Sequence, residues 1–263
     1  MDLDIDGNAA LVSASSSGLG KASAKALARE GADVLINGRD EARLEAAREE
    51  VEAVATGDVV AQAGDITDPA VCEALVETAV AEFGGLDHLV TSAGGPPSGP
   101  FLETDDRDWQ AAFDLLVMSV VRLARAAEPH LRAGDGGTIV TITSRSVKEA
   151  IDSLVLSNAV RMSVIGLEKT LSTEFAPEIR ANAVLPGAHE TSRIEDLMAQ
   201  AIDRGEHADM AEARAAWSEG VPLERIGDPM ELGNTVAFLS SPASGYINGA
   251  AIPIDGGSTG SNL

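Results

Sequence analysis

Residues Ala9 to Arg39, AALVSASSSGLGKASAKALAREGADVLINGR, constrain the fold more than any other stretch of the chain. Ala9-Ala10-Leu11-Val12 is a short apolar run with no helix cap before it, which predicts a strand buried on both faces. Small residues fill Ser13 to Gly20, and Lys21 to Glu30 then repeats Ala and Leu at helical spacing. Gly31 stops that helix, and Val34-Leu35-Ile36 reads as a second buried strand. A βαβ unit of about 30 residues with small residues at its first turn fits a dinucleotide. The helix N-terminus turns free N–H groups toward a pyrophosphate, and Gly18 and Gly20 let the backbone come close. A tight strand-to-helix turn that holds no ligand would use similar residues.

The spacing Ser13-Ala14-x-x-x-Gly18-Leu19-Gly20 resembles the TGxxxGxG turn of the short-chain dehydrogenase/reductase family. The resemblance covers essentially the whole chain and implies a Rossmann-type fold that binds a nicotinamide cofactor. It implies cofactor contacts from Ser13, Ser15, Ser16, Ser17, Gly18, Leu19 and Gly20 in the first turn. Further along it implies Arg39, Asp65, Ile66, Ala93, Gly94, Pro186, Gly187 and Thr191. Ala14 stands where the family has its first glycine, so the turn either takes negative φ there or carries strain. Thr91-Ser92-Ala93-Gly94 follows the fourth strand where the family writes NNAG, with both asparagines replaced. NAD-type members place an acid at the end of the second strand. Here Gly38-Arg39 suits a 2′-phosphate, so NADP is expected and NAD less so.

Alternating strands and helices predict a doubly wound, mainly parallel sheet of about seven strands with helices on both faces. A charged helix is expected over Asp40 to Ala55, strands at Val59 to Ala61 and His88 to Thr91, and a helix started by Asp68-Pro69. One long helix is expected from about Asp106 to Arg132 and another from Ser157 to Ala176. Strands are expected at Gly137 to Thr143, Arg180 to Leu185 and Ala251 to Ile254. The chain reads as a single domain over residues 1–263, with a substrate-side helical insertion at about 188–220. Asp228 and Glu231 form a capping-box pattern before the last helix.

The family's chemistry rests on an Asn–Ser–Tyr–Lys set, and this chain departs from it. Ser144 ends the fifth strand in the family's serine position. Thirteen residues on, where tyrosine belongs, is Ser157, and four further, where lysine belongs, is Arg161. Ile165-Gly166-Leu167 and Pro186-Gly187 both match and fix that register, while the asparagine position is Leu116. The one tyrosine, Tyr246, lies in the segment leading to the last strand and is expected to pack. Serine is a poor substitute for a phenol, whose reference pKa is about 10. Arginine stays charged and does not shuttle protons, though it can hold ribose or an oxyanion. Lys148, four residues after Ser144, is a candidate proton donor, or else a solvated lysine. His189 and Glu190 follow Pro186-Gly187 on the substrate-side loop and are alternatively surface residues; His88 and His130 read as structural and His207 as solvated. No metal-ligand spacing occurs.

Leu156 to Arg161 is similar to a 3-oxoacyl-carrier-protein-reductase-like subgroup that lacks the tyrosine. A dehalogenase-like branch of the fold also uses arginine at the lysine position but keeps the tyrosine. These resemblances imply an NADP(H)-linked oxidoreductase acting on a small molecule. A non-redox lyase or dehalogenase-like enzyme, or a silent nucleotide-binding protein, is the alternative. A homo-tetramer, or homodimer, is the expected assembly.

Charge bears on partners. Asp and Glu total 42 against 19 Lys and Arg, a formal −23, which argues against nucleic acid or an anionic membrane. The carboxylates are spread along helix faces rather than gathered in a tail, a pattern read as adaptation to a high-salt interior or else as that of an ordinary soluble acidic enzyme. MDLDIDGN is too acidic for a secretory signal, and a cytoplasmic location is expected. One cysteine, Cys72, rules out an internal disulfide.

Overall fold

The computed structural model describes residues 2–134 and 136–262. Its centre is a seven-stranded sheet in the order β3-β2-β1-β4-β5-β6-β7, with every neighbouring pair parallel. The strands are β1 (Ala9–Val12), β2 (Asp33–Gly38), β3 (Val59–Ala63), β4 (His88–Thr91), β5 (Gly137–Ile142), β6 (Ile179–Pro186) and β7 (Ala251–Ile254). Helices α1 (Gly18–Arg29), α2 (Glu41–Glu52) and α3 (Pro69–Phe83) join the first four strands. Then come α4 (Asp106–Phe113), α5 (Ser119–Leu131), α6 (Val155–Glu174), α7 (Ser192–Asp203), α8 (Met210–Glu219) and α9 (Pro229–Ser240). The order reverses between β1 and β4, which opens a crevice at the carboxyl ends of those strands.

The apolar strand runs follow from burial on both faces. Alternate residues divide between two cores: Leu11, Leu35, Leu89 and Ile139 face Leu75 of α3, Leu123 of α5 and Leu171 of α6. Val12, Ile36, Val90, Val140 and Val184 face Leu27 of α1, Leu44 of α2 and Val236 of α9. Both sides exclude water over the central strands, so runs such as Ala9–Val12 and Val34-Leu35-Ile36 are apolar at successive positions and show no two-residue alternation.

Local signals set the helix ends. The Asp40 carboxylate accepts from Arg43 N at 2.8 Å, and that of Asp68 from Ala70 N at 2.9 Å. Asp228 and Glu231 close the reciprocal capping box of α9. The expected continuous helix from Asp106 to Arg132 is instead interrupted. A wide π-helical turn, Asp114–Met118, separates α4 from α5. There Arg122 donates to Thr67 O at 2.7 Å and the Ser119 hydroxyl donates back to Leu115 O, so side chains take part in holding the turn. Residues 188–220 carry two helices, α7 and α8, joined by a short polar connection. No helix among the described residues is long and apolar enough to cross a membrane.

Candidate functional site

The crevice is a cavity of about 760 Å³ that runs from the β2–β3 side past the β1 turn to the start of α6 and to α7 and α8. Its floor is the Ser13–Gly20 turn. Ser17 is extended (φ −165°), its side chain makes no capping bond, and no acid occupies the first turn of α1. The first N–H groups of α1 therefore have no side-chain acceptor, the arrangement that receives a phosphate. An added Cβ on Gly20 would sit 2.6 Å from Ala14 O, and one on Gly38 would sit 2.7 Å from the Ser16 side chain. The backbone is thus shaped as a cradle at both points. Ala14 takes φ +45°, which answers the open question about the missing glycine: the turn keeps the left-handed conformation and carries the strain.

Most of the residues expected at the cofactor line this cavity: Ser16, Ser17, Gly18, Leu19, Gly20, Arg39, Asp65, Ile66, Ala93, Gly94, Pro186, Gly187 and Thr191. Ser13 and Ser15 do not. The Ser13 hydroxyl donates to Ser92 O at 2.8 Å, and that of Ser15 donates to Val12 O at 2.7 Å and accepts from Asn37 N at 3.0 Å. Both are buried and hold the turn from behind. Asn37 shares that work, since its amide donates to Gln62 O and Gly64 O, each at 3.1 Å, across the ends of β2 and β3. A polar residue inside an apolar strand was the signal for it.

At the other end, Ser144, Ser157 and Arg161 come together on the wall built by β5 and α6. The Ser144 hydroxyl accepts from Ser146 N at 3.1 Å, and the Ser146 and Ser157 hydroxyls are 3.2 Å apart. Arg161, one turn beyond Ser157, is only 8% exposed and donates through Nη1 to Thr143 O at 3.1 Å. Its Nε is buried with no partner. Burial, and then the positive charge of Arg193, push its pKa down to about 10, so the guanidinium is charged at neutral pH.

Several candidates fall elsewhere. Lys148 is not among the residues lining the cavity, and Tyr246 is fully exposed before β7. Leu115, rather than Leu116, lines the cavity, because the π turn rotates Leu116 into an apolar cluster with Leu156 and Val160. His189 is buried on the lining, where its Nδ1 lies 3.2 Å from Gly187 O and burial lowers its pKa. Glu190 pairs with Arg214. His207, read as solvated, is half-buried and lines the cavity. His88 is structural: the Asn8 amide donates to its Nε2 and its Nδ1 meets the Thr138 hydroxyl, each at 2.9 Å. Arg193, which the sequence did not single out, donates to Pro96 O at 3.1 Å across the mouth. Among the described residues no group of side chains could hold a metal ion.

A family model described as enoyl-(acyl carrier protein) reductase matches residues 13–259. The oxidoreductase UcpA of Escherichia coli O157:H7 is 31% identical over 258 residues, covering 97% of this chain and 95% of its own. The chain belongs to the short-chain dehydrogenase/reductase family. A 2-keto-3-deoxy-L-fuconate dehydrogenase of Xanthomonas campestris is 30% identical and covers 96% of this chain and 80% of its own. Among solved structures, L-sorbose reductase from Gluconobacter frateurii, in complex with NADPH and L-sorbose, superposes with TM-score 0.94. It is 32% identical, covering 99% of this chain and 100% of that one. As a member of the family the chain is an oxidoreductase with a site for a nicotinamide cofactor, and the cradle at Gly20 and the uncapped α1 fit such a group.

Proposed function

We propose that this short-chain oxidoreductase uses NADP(H) to interconvert a carbonyl and an alcohol, with an altered proton-transfer site built on Ser144, Ser157 and Arg161. The observation that carries the cofactor preference is the end of β2. Gly38 lets Ser16 come close, and among the described residues Arg39, its side chain 79% exposed, pairs only with Asp65, at 3.8 Å. Arg43 lines the same corner, while the Asp40 carboxylate is occupied as the cap of α2. Two guanidiniums and a serine hydroxyl suit a 2′-phosphate better than a ribose diol. The NADPH complex of the similar L-sorbose reductase supports the same reading.

When bound, the nicotinamide supplies or accepts the hydride. The carbon of the carbonyl gains that hydrogen with its electron pair, and the oxygen gains a proton. Ser144 is the residue that can hold the oxygen, since its own hydroxyl proton is free while its oxygen accepts from Ser146 N. Ser157 and Ser146 offer a hydroxyl path behind it, a weaker source than a phenol. Arg161 supports the ribose or an anion and holds no transferable proton at neutral pH. The segment Leu156 to Arg161, similar to reductase-like proteins without the tyrosine, is consistent with this apparatus. The same serine and arginine pair would also suit a non-redox enzyme that holds an anion.

Fluorescence titration of both reduced cofactors tests the preference. A charge-assisted contact of about 1.5–3 kcal/mol gives NADPH a roughly ten- to hundredfold advantage. Arg39→Ser should remove most of it and leave NADH unchanged. Equal affinities in the unaltered protein would sink the assignment of Arg39.

A further inference from the structure

The chain carries more than two acids for every base, yet the inner end of its cavity is cationic. The acids on the lining are Asp40 and Asp65, both at the Arg39 end. The other charged side chains on the lining, apart from Arg39 and Arg43, are Arg145, Arg161 and Arg193, and His189 and His207 line the same cavity. Arg145 is 4.0 Å from Glu149. Neither Arg161 nor Arg193 has an ion-pair partner within reach among the described residues, although the charge of Asp196 favours protonation of Arg193.

Two unpaired guanidiniums facing one partly enclosed space oppose each other and lose hydration, a cost that an anion between them removes. The hydrogen bonds point the same way. Arg161 commits Nη1 to Thr143 O, and its Nε is buried and unpartnered, so the Nε edge is left to receive an acceptor. That edge, with the second η nitrogen, is one that takes a carboxylate through two parallel bonds. Arg193 is anchored by one nitrogen on Pro96 O at 3.1 Å, and its Nε packs over Gly95. Ser157 lies one helical turn from Arg161, about 6 Å along the α6 surface, so an anion on Arg161 would share one end of the cleft with the serine wall. Ile151, Leu154, Trp217 and Val221 line the remaining wall and suit an aliphatic tail.

We propose that Arg161 and Arg193 bind the carboxylate of the substrate, and that the substrate is an oxo acid, or the matching hydroxy acid, with an aliphatic tail. The proposal rests on the reading of this cleft as an oxidoreductase site. The carboxylate stays chemically unchanged; it fixes the carbonyl against Ser144.

The test uses the full chain with NADP⁺ bound, at the lowest potassium chloride concentration that keeps its melt cooperative, because chloride competes for such a site. N-propyl oxamate, a non-reducible 2-oxo-acid analogue, and its neutral ethyl ester are titrated by calorimetry. In parallel, NADPH-dependent turnover is measured for 2-oxohexanoate and its methyl ester. The acids should bind or react about ten- to a hundredfold better than the esters. Arg193→Met should remove at least about tenfold of that advantage, sparing the esters and NADPH affinity. Equal behaviour of acid and ester overturns the proposal. Arg193→Met weakening NADPH as much as the oxamate also overturns it, and assigns the guanidinium to the cofactor's phosphates. Tight oxamate binding with no turnover of any carbonyl would keep the anion site and remove the redox reading. Brisk turnover with no acid preference would do the reverse.

Discussion

The hydroxyls of Ser146 and Ser157 lie 3.2 Å apart, one on the turn after β5 and the other in the first turn of α6. Ser157 is therefore tied to a buried neighbour at the position that the resemblance to the family aligns with its tyrosine. Ser146 N in turn holds the Ser144 oxygen at 3.1 Å, so three serines form one wall of the cleft.

Neutral ketones should accordingly turn over slowly with NADPH, because general acid help is worth about 10²–10⁴-fold and a serine provides little of it. Ser157→Tyr alone should recover less than tenfold of that loss, since the phenol abandons Ser146 and meets an arginine fixed on Thr143 O. Ser157→Tyr with Arg161→Lys should exceed the product of the single changes, because the two groups act as a unit. Leu116→Asn should not help: Leu116 is in an apolar cluster, and burying an amide there costs about 1–3 kcal/mol. Steady-state kinetics on these five variants, the single Arg161→Lys included, settle it; brisk reduction by the unaltered chain that survives Ser144→Ala would place the chemistry elsewhere.

Ala14→Gly should stabilise the protein. The φ of +45° costs an alanine about 1–2 kcal/mol that a glycine escapes, offset in part by the greater freedom of glycine when unfolded. A rise in melting temperature of roughly 2–4 °C is the expected net gain. A fall would mean the turn relaxes in the free protein.

Glu168 on α6 is 2% exposed, and its carboxylate accepts from the Thr141 hydroxyl, which itself lies 2.7 Å from that of Thr91. Burial pushes its pKa up to about 8, against a lowering contribution from Thr141. An acid whose folded pKa is raised holds its proton in the native state while the unfolded chain ionises. Stability is then full below the ordinary carboxylate pKa and falls as pH rises from about 4.5 to about 8. The loss at pH 7 is about 3 kcal/mol. Glu168→Met should flatten that part of the stability–pH curve and leave Thr141 bonded to Thr91. Urea denaturation at pH 5 and pH 8 measures it, and an unchanged slope would show that Glu168 is ionised in the fold.

Salt should stabilise the fold. Lys21 and Lys25 converge on one acid, Glu50, and many other carboxylates on the helix faces have no basic partner to draw on in a chain of net charge −23. Melting temperature should climb from dilute buffer to molar potassium chloride. A flat or falling curve would contradict the high-salt reading.

The sequence determined the sheet because runs such as Ala9–Val12 and Val34-Leu35-Ile36 are apolar at successive positions, as burial on both faces requires, and because Asp40, Asp68 and Asp228 mark helix starts by local bonds. It also determined the cofactor turn, since the positive φ of Gly18 (+57°) and the 2.6 Å approach of a Cβ on Gly20 to Ala14 O both arise within the turn itself. Three decisions belonged to tertiary structure. The π turn at Asp114–Met118 presents Leu115 instead of Leu116, and a helical period cannot foresee one extra residue in a turn. Ser13 and Ser15 turned inward because Ser92 and Asn37, far away in the chain, supplied their partners. Arg193 reached the cleft only when α7 folded over Gly95 and Pro96, bringing its charge toward that of Arg161. Long-range partners decide where a polar side chain points, and spacing along the chain carries no record of them.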